Sequence, residues 1–309
     1  MSARLAYAEE VARALAARRP VVALETTVVT HGLPHPEGIE VARALEQQVR
    51  AHGAVPATIG VLDGAIRVGL SAAELERLAT APGVAKVSLG NLAAVLAAGE
   101  PGSTTVAATA FAAHRAGLAV FATGGIGGVH RGAADSGDVS ADLTALSRSP
   151  VAVVCAGAKA ILDLPRTVEM LETLGVPVFG FRTAEFPAFY RRSSGLPVDR
   201  RFDDVASLAA AVREHFALGS GTGVVVGNPI PQADELPRET YERALEQALA
   251  AAAVAGVRGR AVTPFLLERM RAASGGESVR ANRALLLENA RVAAELAGAL
   301  TRAEAPAAG

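Results

Sequence analysis

The stretch VAVVCAGAKAILDLPRTVEMLETLGVPVFGFR, residues 151–182, decides the fold. VAVVCAG (151–157) is a short apolar, β-branched run that stops at a glycine, so it reads as a buried strand. LPRTVEMLETLG (164–175) reads as a helix, and VPVFGFR (176–182) as a second buried strand. A buried strand, a helix and another buried strand imply parallel strands joined by a covering helix.

The same alternation runs through the chain. VVALETT (21–27), ATIGVLDG (57–64), KVSLG (86–90), LAVFATGG (118–125) and TGVVVGNP (222–229) read as strands. Helices read over 38–53, 71–79, 104–117 and 202–219, and the tail from 235 to 304 is almost wholly helical. The helix at 71 opens with Ser71 and has Glu74 three residues on, the pattern of a capping box. ARLAYAEEVARALAARR (3–19) reads as an amphipathic helix with mixed charges rather than as a secretory signal. No linker-like stretch divides the chain and no repeat recurs. The expectation is one large α/β domain over 1–309, with a mainly parallel sheet covered on both faces.

Composition excludes several classes of function. The 309 residues are 50% hydrophobic and 20% charged, enough apolar material for a large core. A net charge of −1 leaves no broad basic field for nucleic acid or an anionic membrane. Aromatic residues are 4% and Trp is absent, which argues against base-stacking platforms. The longest apolar run, ALAAAAVAGV (248–257), is far short of the roughly 20 residues that span a bilayer. Cys155 is the only cysteine, so an internal disulfide is excluded and a cytoplasmic location is expected. It reads as a small buried hydrophobe.

The cations are unevenly chosen. Lys and Arg total 30, and only Lys86 and Lys159 are lysine. Arginine serves for solubility and ion pairs but cannot act as a nucleophile, because it keeps its proton. A desolvated lysine can lose its proton and attack a carbonyl to form an imine. Lys159 stands just past a buried strand, and ligands of such sheets sit beyond the carboxyl ends of strands. The polar residues at strand boundaries therefore belong together: Glu25, Lys86, the loop GGIGGVHRGAADSGDVSAD (124–142), Lys159 and Asn228.

Glu25 closes an apolar strand, where partial desolvation suits a general acid. The loop is not a dinucleotide fingerprint, because His130 occupies the third glycine position, and no Gly-Lys-Ser/Thr follows to make a Walker loop. Its backbone N–H groups can still meet a phosphate. Asp138 and Asp142 are four apart and face one way if a helix begins there. Two carboxylates beside glycine-rich backbone suit a hard divalent cation held mostly through water, although helix capping accounts for the same spacing. His31 and His35 are also four apart, but Gly32 and Pro34 prevent a shared helix face and weaken any metal-pair reading.

Beyond these local readings, the sequence closely resembles the pseudouridine-5′-phosphate glycosidase family, also called the indigoidine-synthase A-like proteins. The resemblance rests on ALETTVVTHGLPHP, ATIGVLDG, KVSLGNL, GSTTVAAT, FATGGIGGVHRGA, DVSADL, VCAGAKAILD, LETLGVPV, FPAFYRRSSG, NPIP, TPFLL and GGES, spread over nearly the whole chain. It implies a three-layer α/β/α fold, a homotrimer, and reversible cleavage of the C–C glycosidic bond of pseudouridine 5′-phosphate to uracil and ribose 5-phosphate. By position, Lys159 matches the imine-forming lysine and Glu25 the proton donor. Asp138 matches the carboxylate that holds one manganese ion, Mn2+, whose other ligands are largely water. Ser140, Ala141 and Asp142 match the segment lining the substrate, and Lys86 and Val106 match further substrate contacts. His130 and Asn282 are additional pocket candidates. Lys86 either holds the phosphate or, by its charge, helps Lys159 to shed a proton. The family often has Tyr in place of His35 and Ser in place of Ala160. Two other readings share parts of this pattern: a class I aldolase-like imine enzyme acting on a sugar phosphate, and a non-catalytic nucleotide-binding protein.

Overall fold

Short runs of Val, Ala, Leu and Ile that are buried on every residue build the spine of the protein. A computed structural model describes residues 4–32, 36–257 and 262–304. The chain runs β1 (Leu5–Tyr7), α1 (Glu9–Ala16), β2 (Val21–Leu24), a π-helical turn (Val28–Gly32), α2 (Glu37–Ala51), β3 (Val55–Leu62) and β4 (Ala65–Val68). It continues through α3 (Ala72–Thr80), β5 (Ala85–Val87), α4 (Leu89–Ala98), β6 (Gly102–Thr104), α5 (Val106–Arg115) and β7 (Val120–Ala122). Then come α6 (Ala133–Ser136), α7 (Ala141–Leu146), β8 (Ala152–Cys155), α8 (Leu164–Thr173), β9 (Val178–Phe181) and β10 (Arg200–Phe202). The rest is α9 (Val205–Ala217), β11 (Val224–Gly227), α10 (Arg238–Ala255), α11 (Val262–Ala273) and α12 (Glu277–Glu304).

The strands form one sheet in the order β1-β4-β3-β2-β7-β8-β11-β9-β10, with β6 against β3 and β5 against β6. From β3 to β10 every neighbour along this path is parallel. Between the named strands, antiparallel pairing occurs only where β3 meets β4 and β6, among the described residues. Every residue of β2, β3, β7, β8 and β11 is buried, as a sheet covered on both faces requires. Helix α12 packs along β2, β7 and β8, and α5 packs along β2, β3 and β7. Among the described residues no helix is long and apolar enough to cross a membrane.

The β8–α8–β9 unit is present, but β11 inserts between its two strands. The capping box is also present: Ser71 Oγ accepts from Glu74 N–H at 3.2 Å, and Glu74 Oε2 accepts from Ser71 N–H at 2.9 Å. Three readings need correction. Residues 3–19 are not one helix, because Leu5–Tyr7 pair in parallel with Ile66–Val68 and the helix begins at Glu9. Pairing with an open strand edge outweighs helical periodicity there. The strand expected over 57–64 turns at Asp63-Gly64, both with positive φ (53° and 71°), into the antiparallel β4. An Asp-Gly pair is a hairpin signal, because both central residues of such a turn need left-handed backbone. Finally, the strand expected over 86–90 ends at Val87, and Asn91 Oδ1 accepts from Ser88 N–H at 2.8 Å to open α4.

A buried amide pair ties α12 to the strand ends. Asn228 follows β11, and its Nδ2 donates to Asn289 Oδ1 at 2.9 Å. Asn289 Nδ2 donates in turn to the Thr123 carbonyl at 2.8 Å, and Asn228 N–H donates to the Cys155 carbonyl at 2.8 Å. Asn228 is thus absorbed into the scaffold behind the cleft. Asn289→Ala should lower the unfolding free energy by about 1–3 kcal/mol, because it strands a buried amide and a buried carbonyl. Urea denaturation measures this, and a variant as stable as the parent would remove the pair from the scaffold.

Candidate active site

Strand register brings the first components together. Leu24 pairs with Ala122, and Ala122 with Val154, across three adjacent parallel strands. The residues that follow, Glu25 and Thr123, therefore leave the sheet side by side. Each oxygen of the half-buried Glu25 carboxylate accepts one hydroxyl, from Thr27 and from Thr123. The carboxylate is held by its neighbours rather than by a long flexible stem.

The third strand delivers Lys159. After Cys155 the chain turns at Gly157, whose φ is +80°. A Cβ there would run into the Pro187 carbonyl, so only glycine fits. Beyond the turn, Lys159 N–H donates to the Ile126 carbonyl at 3.0 Å, and Ile126 N–H donates to the Gly157 carbonyl at 3.0 Å. The glycine-rich loop and the lysine turn are thus laced together by backbone. Tyr241, from α10, donates its hydroxyl to the Ala160 carbonyl at 3.2 Å and braces the same turn.

Lys86 reaches the cleft from β5, where it pairs with Ser103 of β6. Burial first, and then the charge of Lys159, push its pKa down; Asp142 and Glu25 oppose this. The pKa of His130 is also lowered, mainly by burial, with Asp138 pulling it up and both lysines pushing it down. His130 N–H donates to the Asp138 carbonyl at 3.0 Å, so the two residues sit on facing segments of one loop.

The expected helical face for Asp138 and Asp142 does not form. The helix begins at Ala141, Ser140 caps it by accepting from Asp142 N–H at 3.2 Å, and Asp138 lies before the cap. Asp142 has a different role. Only 6% exposed, it accepts from Ala107 N–H at 2.9 Å through Oδ1 and from Gly127 N–H at 2.8 Å through Oδ2. It clamps the first turn of α5 to the glycine-rich loop, and the charge-assisted bonds repay its burial.

Glu25, Lys86, His130, Asp138, Ser140, Ala141, Asp142, Lys159 and Asn282 all line one cleft. Val106 does not: it is 1% exposed at the first position of α5, and the N-cap Thr105 lines the cleft beside it. His35 lies outside the described residues. Thr27, Thr123 and Phe189 also line the cleft and escape a reading of the sequence for site residues, and His31, which the sequence offers only as half of a weak metal pair, lines it too. Hydroxyl residues at strand ends are the available signal for Thr27 and Thr123; nothing local marks Phe189, which reaches the site from a distant loop.

The donor set fits a cation with mostly water ligands. Among the described residues no group of three His, Cys, Asp or Glu side chains gathers to hold a metal. Asp142 is engaged by backbone, which leaves Asp138 as the half-exposed carboxylate of the loop facing the cleft. One carboxylate plus water is a binding mode of hard divalent ions.

The family profile described as indigoidine synthase A like protein matches residues 10–299. The chain belongs to this family. Among curated relatives, a protein of Methylobacterium nodulans named pseudouridine-5′-phosphate glycosidase is 55% identical over 307 residues, covering 99% of this chain and 91% of that one. One of the same name from Caldanaerobacter subterraneus is 53% identical, covering 95% and 96%. Among solved structures, the prealnumycin C-glycosynthase AlnA, in complex with ribulose 5-phosphate, superposes with a TM-score of 0.90 at 43% identity, covering 97% of this chain and 98% of that one. An indigoidine synthase A-like protein of Thermotoga maritima gives 0.87 at 39% identity, covering 98% of each.

The clamp makes Gly127 a sensitive position. A Cβ there would sit 2.6 Å from Asp142 Oδ2 and would also strike Ser140 Oγ. Gly127→Ala should cost about 1–3 kcal/mol of stability and sharply reduce activity. Gly90→Ala, in α4 with open space around it, should instead stabilise the fold by up to about 1 kcal/mol. Equal melting temperatures for the two variants would contradict the clamp.

Proposed function

We propose that this protein cleaves the C–C glycosidic bond of pseudouridine 5′-phosphate reversibly, giving uracil and ribose 5-phosphate through an imine on Lys159. The convergence of Lys159 and Glu25 in one cleft carries this reading. The curated relatives bear the name of that activity, and the superposed AlnA binds a pentose 5-phosphate.

The bond dictates the chemistry. C1′ of the ribose is joined to C5 of uracil, and a carbon is a poor leaving group for the two-carboxylate route of ordinary glycosidases. An amine supplies another route. Glu25 gives a proton to the ring oxygen as the ribose opens, and the Lys159 amine forms its bond to C1′. The C1′–C5 bond breaks as C5 gains a proton, and uracil departs. The sugar remains as an imine of Lys159. Water hydrolyses it to ribose 5-phosphate and regenerates the amine. Lys86, which lines the same cleft, meets the phosphate. Asp138 would hold manganese, which when bound orients the substrate and balances its charge. A homotrimer, a degradative role and a cytoplasmic location complete the proposal; the first two rest on family resemblance and the third on cysteine usage.

Incubation with pseudouridine 5′-phosphate and manganese should release uracil, which separates this reaction from aldol cleavage of a sugar phosphate. Failure to release uracil would refute the proposal. Lys159→Arg keeps the charge and removes the amine, so it should abolish turnover, whereas an anion-binding lysine tolerates this change in part. Good turnover by Lys159→Arg would exclude the imine. Asp138→Ala should greatly reduce turnover and erase its manganese dependence while leaving the far-UV circular dichroism unchanged. An Asp138→Ala enzyme with the parent's manganese response would free Asp138 of the metal role.

A further inference from the structure

The π-helical turn after Glu25 carries a residue that the reaction above does not use. His31 Nδ1 lies 2.6 Å from Thr30 Oγ1 and 3.1 Å from Ser103 Oγ. The Thr30 hydroxyl donates its hydrogen to Ser103 Oγ at 2.7 Å. With the Thr30 hydrogen given to Ser103, and the Ser103 hydroxyl directed to the Ala85 carbonyl at 3.5 Å, the short Thr30 contact takes its hydrogen from the imidazole. This hydrogen-bond pattern puts the ring proton on Nδ1. The anchor is rigid, because Ser103 is fully buried and pairs with Lys86 across β5 and β6.

A neutral imidazole has one donor and one acceptor, so Nε2 is left with its lone pair. Burial, and then the charge of Lys86, lower the pKa of His31 and favour the neutral ring. His31 lines the same cleft as Glu25, Lys86 and Lys159. Among the described residues no hydrogen bond joins it to Lys86.

We infer that His31 is a further substrate-contacting residue, presenting an unprotonated Nε2 that accepts a hydrogen bond from a neutral O–H or N–H of the substrate. The inference rests on the function proposed above. The tautomer selects the partner. A phosphate dianion has no hydrogen to give and repels a lone pair, so the phosphate is left to cations. A ribose hydroxyl or a ring N–H of the base matches. The two sources share one chemistry and are separated by adding each half of the substrate alone.

Long-range proton–nitrogen correlation of the 15N-labelled enzyme reads the tautomer directly. The chain has six histidines, and the signals missing from His31→Asn and His31→Gln assign the ring. The expected result is an unprotonated Nε2 in the free enzyme, moved by ribose 5-phosphate if a hydroxyl is the donor, or by uracil if a ring N–H is. In steady-state kinetics, His31→Asn, whose amide replaces Nδ1 but not Nε2, should lose about tenfold in kcat/KM. His31→Gln, whose amide reaches the Nε2 position, should retain more. A protonated Nε2, an Nε2 unmoved by both ligands, or a His31→Asn enzyme with the parent's kcat/KM would overturn the inference. Failure of the proposed function shows elsewhere, as a parent enzyme that releases no uracil, and the tautomer is read independently of turnover.

Discussion

The register of β2, β7 and β8 places Leu24, Ala122 and Val154 in line, and the cleft depends on that alignment. Glu25 and Thr123 leave the sheet together, and the chain after β8 has to turn at Gly157 before it can offer Lys159. A slip of one residue in any of these strands would send its buried side chains to the other face, so a fully buried sheet fixes the register strongly. The catalytic geometry is therefore stabilised by the same burial that stabilises the fold. Two polar devices complete the cleft. The Asp142 clamp joins the glycine-rich loop to α5, and the Asn228–Asn289 pair lies behind it.

Electrostatics within the cleft follow from placing both lysines of the chain there. Burial and mutual repulsion each disfavour an ammonium, and the lowered pKa of Lys86 records both causes. The same burial and positive field keep His31 and His130 toward their neutral forms. Glu25, Asp138 and Asp142 supply the opposing charge, and only Asp142 has both oxygens committed to backbone N–H groups. Arginine, used everywhere else, would hold its charge in this setting and could neither add to a carbonyl nor leave as a free amine.

Much of this is legible from the chain alone. Buried apolar runs followed by helices signal the parallel sheet, and the scarcity of lysine singles out the two cations that line the cleft. Local rules fail where distant segments decide. Residues 5–7 look helical until an open edge at β4 is there to pair with them. Asp138 and Asp142 look like one helical face until Ser140 sets the first turn. The roles of Thr123, Phe189 and Val106 depend on which strand end or loop lies opposite, which no spacing encodes. Spacing relates His31 only to His35, because the hydroxyls that fix its tautomer include one from Ser103, 72 positions away.

The central claim is that Lys159 forms an imine with the sugar. Borohydride added during incubation with ribose 5-phosphate would reduce that imine to a stable secondary amine, and peptide mass spectrometry would locate it. Because the chain has only Lys86 and Lys159, the assignment leaves little room for ambiguity. The account predicts a reduced pentose phosphate on the peptide carrying Lys159. Labelling of Lys86 alone, or no labelling by an enzyme that releases uracil, would contradict it.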